Sequence, residues 1–171
     1  MTFEDPTMAS KEKTLNELFL HTLKDIYSAE KQIEGSLTKM AGAAQSDELK
    51  KAFKKHKDET AGQIQRLEKV FDLCGEKPQA VTCEAMAGIL EEGKEIMEKY
   101  EGSEALDPGI LAAAQTVEHY EISRYGTLRS WAEELGMNDA VKLIEQTLEE
   151  EKKTDALLTK IAESRVNKKA A

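Results

Sequence analysis

The sequence predicts an all-α protein: four long helices folded as two antiparallel hairpins into a four-helix bundle, with a short extra helix in the long crossover between them. Three observations predict it. Glu, Lys, Ala and Leu dominate a chain that is 33% charged, 5% aromatic and holds three prolines, a composition of long helices rather than of a sheet. Apolar residues recur at three- and four-residue steps over segments far longer than a strand. The links inside each hairpin are only a few residues long, which makes the paired helices antiparallel neighbours. With 171 residues, 40% of them hydrophobic, the chain suits one domain burying about 70% of its unfolded surface.

The first helix, expected over 14–42, opens at "TLNE", where Thr14 caps and Glu17 reaches back to complete a capping box. Leu15, Leu18, Thr22, Ile26, Ala29, Ile33, Leu37 and Met40 form its stripe. The second, 47–74, follows Ser46 as cap, with Asp47 and Glu48 in its first turn. It aligns Leu49, Phe53, Leu67, Val70 and Cys74 and ends at Gly75. The third and shortest, about 82–100, starts at "TCEAM" and carries Met86, Leu90, Met97 and Tyr100. Asp107 as cap and Pro108 at the first helical position open the fourth, which runs to Gly136. Asn138 caps the fifth, which turns Ile144, Leu148, Leu158 and Ala162 inward and reaches about Ser164. The bundle domain is expected over 14–165, with 1–13 a disordered arm or added leader and 166–171 a frayed basic tail.

"GAAQS" links the first pair and "GMN" the second, while about 30 residues separate the two hairpins. The hairpins resemble each other at an offset of 91: Ile26 falls on Val117, Glu30 on Glu121, Leu37 on Leu128, Phe53 on Ile144 and Leu67 on Leu158. Two similar hairpins packed face to face give a pseudo-twofold axis.

A net charge of −9 argues against nucleic acid, whose binding relies on clustered Lys and Arg. No apolar run approaches the ~18 residues of a membrane span and no signal segment opens the chain, so a cytoplasmic protein is expected, without a membrane partner. Cys74 and Cys83, the only cysteines, are no zinc signature, because structural zinc takes four Cys or His ligands. Two ordinary thiols in a reducing compartment, or a bridge across the loop, are the readings open to them.

The informative residues are the polar ones inside the apolar stripes. "VEHYE", residues 117–121, sets Glu118 and Glu121 one turn apart where the fourth helix should be apolar. At about 100° per residue, Glu30 also lies near the centre of its stripe, between Ile26 and Ile33. His56, Thr60 and Gln63 interrupt the second stripe, with Glu59 at its edge. In the fifth helix Glu151 is central and Glu150 and Asp155 flank it; the repeat offset favours Glu150 as the inward acid, the wheel angle favours Glu151, and Asp155 is open as a ligand or as an acceptor behind the ligands. Antiparallel pairing brings all these turns to one level. Six or so carboxylates and an imidazole in a core repel unless they protonate or hold cations. Carboxylates with an imidazole suit iron or manganese, and bridging glutamates hold two ions ~3.5–4 Å apart. Tyr27, Tyr120 and Tyr125 lie close enough to pack against such a centre, to donate hydrogen bonds to it or to act as a radical sink.

"TLNELFLHTLKDIYSAEKQI", "HKDET", "LCGEKP", "CEAMAGI", "VEHYEISRYGTL" and "TLEEEKKTD" resemble the bacterial YciE/YciF family of ferritin-like proteins, over residues 14–163. The resemblance implies a ferritin-like bundle, a homodimer, a dinuclear site for two Fe ions (alternatively Mn or a mixed pair), and a ferroxidase or stress-protective role with O2 or peroxide as small-molecule substrate. Its implied metal ligands are Glu30, His56, Glu59, Glu118, Glu121, Glu150 and Glu151. The pattern departs from the usual ferritin-like set, one Glu from each of two helices and Glu-x-x-His from the others. Here the second helix reads His56-x-x-Glu59, in reverse order, and the fifth has no His. The competing reading is a non-catalytic helical-bundle stress protein that acts through dimerisation or partner binding.

Overall fold

The structure, a computed structural model, describes residues 13–171. The arm expected over 1–13 therefore lies, except for Lys13, outside the described residues. Helices α1 (Leu15–Ala43), α2 (Asp47–Leu73), α3 (Glu84–Lys99), α4 (Leu106–Glu134) and α5 (Asn138–Ile161) make up the protein, with no strand among the described residues.

Neighbour relations follow from the short links. α1 packs along α2 and α4 along α5; α2 then meets α5 and α1 meets α4, so each long helix has two long neighbours, while α3 lies across α4 and α1. The repeat-related pairs Ile26 and Val117, Leu37 and Leu128, Phe53 and Ile144, and Leu67 and Leu158 are all buried. Each such side chain contributes about 1.5–3 kcal/mol by leaving water. No described helix is long and apolar enough to cross a membrane.

Several helix ends match the sequence reading. Thr14 and Glu17 form the capping box, and Ser46 caps α2 by accepting from the Leu49 N–H. Gly75 and Gly136 adopt φ of +69° and +70° just past α2 and α4, a left-handed conformation that side chains other than glycine's rarely take. Two expected caps are corrected. α4 begins at Leu106, so Asp107 sits inside its first turn, and its carboxylate accepts from the backbone N–H groups of Gln45 and Ser46, both at 2.7 Å. It clamps the α1–α2 link instead of capping its own helix. Asn138 is already helical: the Met137 N–H donates to Ala132 O at 2.9 Å, closing α4 so tightly that Met137 takes the cap position with no side-chain bond.

Two stripe expectations also change. Leu15 and Leu18 are 36% and 46% exposed, and the inward position of that first stretch goes to the fully buried Phe19. Tyr100 ends α3 and is exposed rather than packed. Past Ile161 the chain stays helical through a π-helical turn, Ala162–Val166, into α6 (Asn167–Ala170), over the stretch expected to fray; Val166 is buried.

The crossover is tied to α1. Val81 N–H donates to Lys24 O at 3.2 Å, Cys83 N–H to Ser28 Oγ at 3.2 Å, and the Gln32 amide to Cys83 O at 3.3 Å. Cys83 Sγ in turn caps α3, accepting from the Met86 N–H at 3.4 Å. Cys74 and Cys83 are free thiols, and burial pushes both up from the ordinary thiol range. At the far end of α3 the Ile96 side chain packs directly on the α4 backbone, since a Cβ on Gly109 would stand 2.6 Å from Ile96 Cγ2.

Candidate metal centre

The polar turns of the four long helices meet inside the core. α1 contributes Glu30, α2 His56, α4 Glu118 and Glu121, and α5 Glu151; Glu30, Glu121 and Glu151 have no exposed surface and His56 and Glu118 almost none. One ligating atom from each of His56, Glu118, Glu121 and Glu151 lies within 4.8 Å of all the others. On α4 the two acids stand three residues apart, one turn, and so share a face.

Hydrogen bonding leaves this cluster unfinished. Among the described residues nine buried side-chain atoms have no hydrogen-bond partner, and all belong to it or border it: both carboxylate oxygens of Glu121 and of Glu151, both His56 nitrogens, one oxygen each of Glu30 and Glu118, and the Gln63 carbonyl. His56 Nε2 does lie 2.9 Å from Glu118 Oε1, an ion-pair distance. Native proteins pair more than nine in ten of their buried polar atoms, so such a concentration calls for something to fill it.

Burial, together with the Glu151 carboxylate, pushes Glu30 up to about 8. Burial drives Glu121 well above the ordinary carboxylate range, and the charges of Glu151 and Glu30 add to it. Glu118 is likewise raised by burial, against the pull of His56. Burial alone would lower His56, yet the Glu118 carboxylate beside it raises it well above its ordinary value. Without a cation, the cluster holds protons.

The remaining expected residues sit at its margin. Glu59 is half-buried, 3.9 Å from His56 Nδ1 and 3.0 Å from Lys55 Nζ; the His56 ring and Lys55 hold it down to about 2. Glu150 is turned away, as the wheel angle indicated, with its two oxygens 2.6 and 2.8 Å from the Arg66 guanidinium. Asp155 faces outward and accepts from His119 and Gln115, both at 3.2 Å. Of the tyrosines, Tyr125 donates to the Glu30 carboxylate, whereas Tyr27 donates to Glu68 at 2.9 Å and Tyr120 to Asp25 at 2.8 Å.

A family profile described as a domain of unknown function, DUF892, matches residues 14–171. The chain belongs to the DUF892 family. It is 48% identical to Protein YciF of Escherichia coli K12 over 159 residues, 92% of this chain and 96% of that protein. The crystal structure of the E. coli stress protein YciF superposes with a TM-score of 0.87 at 47% identity, over 92% of this chain and 99% of that one. YcfI of Rhodopseudomonas palustris gives 0.85 at 43%, covering 88% and 96%. A protein of Xanthomonas campestris, 20% identical over 91% of this chain and 96% of its own, shares the fold at a TM-score of 0.75.

Within this DUF892 chain the internal repeat explains the margins of the cluster. Glu59 and Gln63 stand 91 residues before Glu150 and Thr154, and the two pairs make mirror contacts: Thr154 donates to Glu59 at 3.3 Å and Gln63 to Glu150 at 3.2 Å. The inner layer is mirrored only at Glu30 and Glu121, because the same offset pairs His56 with Thr147, Glu118 with Tyr27 and Glu151 with Thr60. One half is therefore richer in ligands. Sequence reasoning missed Arg66, which also donates to Thr147 at 3.0 Å. Its signal was available: Arg66 lies one turn beyond Gln63 on the face that meets α5.

Proposed function

We propose that this protein is a ferritin-like four-helix carboxylate protein that holds two divalent cations, iron or manganese, and couples the oxidation of ferrous iron to the reduction of dioxygen or peroxide. The single observation behind the proposal is the knot of nine unpartnered buried atoms, contributed by all four long helices. A carboxylate-rich set with one imidazole fits those ions, whereas thiolate-seeking metals find no cysteine in it. Ferrous iron held there would supply one electron per ion, two electrons and two protons converting peroxide into two waters or dioxygen into peroxide.

The chain's own residues have defined tasks in this reading. His56, Glu118, Glu121 and Glu151 would hold the first ion, and Glu30, buried beside them, would help hold the second. Because Thr147 and Tyr27 stand where symmetry would want a second His and Glu, the second ion would be held more weakly. Tyr125 fixes one Glu30 oxygen and leaves the other free for a cation. Arg66 keeps Glu150 out of the cluster, and Glu59, part-exposed, offers a charged first stop for an arriving ion. The acids release their protons as cations bind. A homodimer in the cytoplasm belongs to the same proposal, free thiols fitting a reducing compartment.

Stepwise anaerobic addition of Fe2+ to the metal-free protein, followed by air, tests this. Two binding events of unequal affinity and oxygen consumption tied to the bound iron are expected, both lost in Glu121→Ala. Absence of iron and manganese binding would leave the non-catalytic interaction protein as the reading.

A further inference from the structure

We infer that the space beneath α3 is the route by which dioxygen reaches the His56–Glu118 side of the cluster, with Leu90 as its gate; the inference rests on the function proposed above. A cavity of about 240 Å³ opens between α1, α3 and α4. A second, of about 10 Å³, lies deeper and is walled by Ile33, Leu37, His56 and Glu118. Four residues line both: Ser36 from α1, Met40 from α1, Leu90 from α3 and Val117 from α4. They form the neck between surface and cluster.

Side-chain size explains why the space exists. Where α3 crosses the other helices the outer cavity is lined by Ala87, Gly93 and Ala113, and a Cβ on Gly93 would already touch Ala113 Cβ at 3.4 Å. α3 is fastened on both sides of this point, by the Cys83 contacts to α1 at its start and by the close Ile96–Gly109 approach near its end. Leu90, half-buried between those anchors, closes the neck with a flexible side chain. The inner wall is no passive void. His56, almost fully buried, has no hydrogen-bond partner on either nitrogen, and Glu118 Oε2 has none.

Size and polarity select the traveller. About 10 Å³ is roughly one water-sized probe, so only a diatomic or similarly small molecule passes. Ser36 is the one polar side chain at the neck, too little to replace the hydration of a divalent ion. At the mouth Lys94 pairs with Glu91 at 3.8 Å and Lys39 leaves a net positive charge that disfavours cations, while Glu59 faces out on another side of the cluster. An uncharged, apolar oxidant fits; ferrous iron does not.

Methyl NMR of the metal-free full-length protein under raised oxygen pressure tests the route without any turnover. The methyls of Met40, Leu90 and Val117 should broaden several-fold more than the buried methyls of Leu49 and Ile144. Leu90→Trp and Ser36→Leu, which fill the neck from two different helices, should remove that excess. The same variants should slow ferrous oxidation by dioxygen tenfold or more, with Co2+ affinity within twofold of wild type, whereas Leu90→Ala should oxidise iron at least as fast. No excess broadening in the wild type would overturn the inference. So would folded, Co2+-binding blocked variants that oxidise iron at the wild-type rate, and equal slowing of oxidation by hydrogen peroxide would overturn the assignment to dioxygen. Should the wild type bind no metal at all, the proposed function fails while the broadening still reports on the cavity.

Discussion

Replacing Glu121 by methionine should make the metal-free protein more stable. Both carboxylate oxygens of Glu121 are buried without a partner, and ionising it would set its charge against the carboxyls of Glu151, Glu30 and Glu118. Glu30 beside it, raised from 4.5 to about 8 by burial and the Glu151 carboxylate, shows how strongly this pocket opposes a charge. Exchanging such a buried charge for an apolar group of similar size is worth about 1–4 kcal/mol. At roughly 2–4 °C per kcal/mol for a chain of this length, the melting temperature in EDTA at about pH 8 should rise by about 2–16 °C. The pH sign follows from the direction of the shift. A carboxyl raised by folding contributes stability that is complete below its unfolded pKa and is lost as the pH climbs through its folded one, so the gain from Glu121→Met should be small near pH 5 and grow towards pH 8. Added Mn2+ should move the ranking towards the wild type, since binding at a hundredfold excess over Kd stabilises the wild type by about 2.7 kcal/mol and the variant not at all. Thermal unfolding followed by circular dichroism reads every arm. A variant that melts below wild type in EDTA at about pH 8 would show that Glu121 has partners that stabilise its charge, and the reasoning would fail.

Other expectations follow from the same contacts. Glu151→Gln should abolish tight Mn2+ binding in a calorimetric titration, while Glu150→Gln should leave the affinity within about threefold and cost on the order of 1 kcal/mol in urea denaturation by freeing Arg66. Asp107→Ala removes two charge-assisted bonds of 2.7 Å from a buried link and should lower stability by about 2–4 kcal/mol, read as a shift of the urea midpoint without change of slope. Because burial keeps Glu30, Glu118 and Glu121 protonated in the metal-free state, cation binding should expel protons, and affinity should rise with pH between about 5 and 8; titrations in buffers of different ionisation enthalpy count them. Tyr125→Phe removes a hydrogen bond that favours the ionised Glu30, so it should weaken metal binding near neutral pH more than it weakens the fold.

The helices and the inward acids were legible in the sequence because both are written in periodicity. Glu30, Glu121 and Glu151 sit at stripe centres, and each is fully buried. The choice between Glu150 and Glu151 turned on two signals of different kind, and the wheel angle prevailed because it reports a local geometry that packing enforces. The repeat offset was accurate too, but about the margin: it matches Glu150 with Glu59, and both are part-exposed. Less could be read at the helix ends. Asp107 has the residue type of a cap, and only the fold shows its carboxylate reaching across to Gln45 and Ser46. The neck beneath α3 was not visible at all, since Ser36, Met40, Leu90 and Val117 come from three helices whose relative placement no local pattern records.

A crystal grown with excess Fe2+ or Mn2+ and measured at the metal absorption edge tests the central claim most directly. Anomalous density should appear between His56, Glu118, Glu121 and Glu151, with a second, weaker peak beside Glu30. Full-strength crystals with no such density, and these four side chains bonded to one another through shared protons, would contradict it.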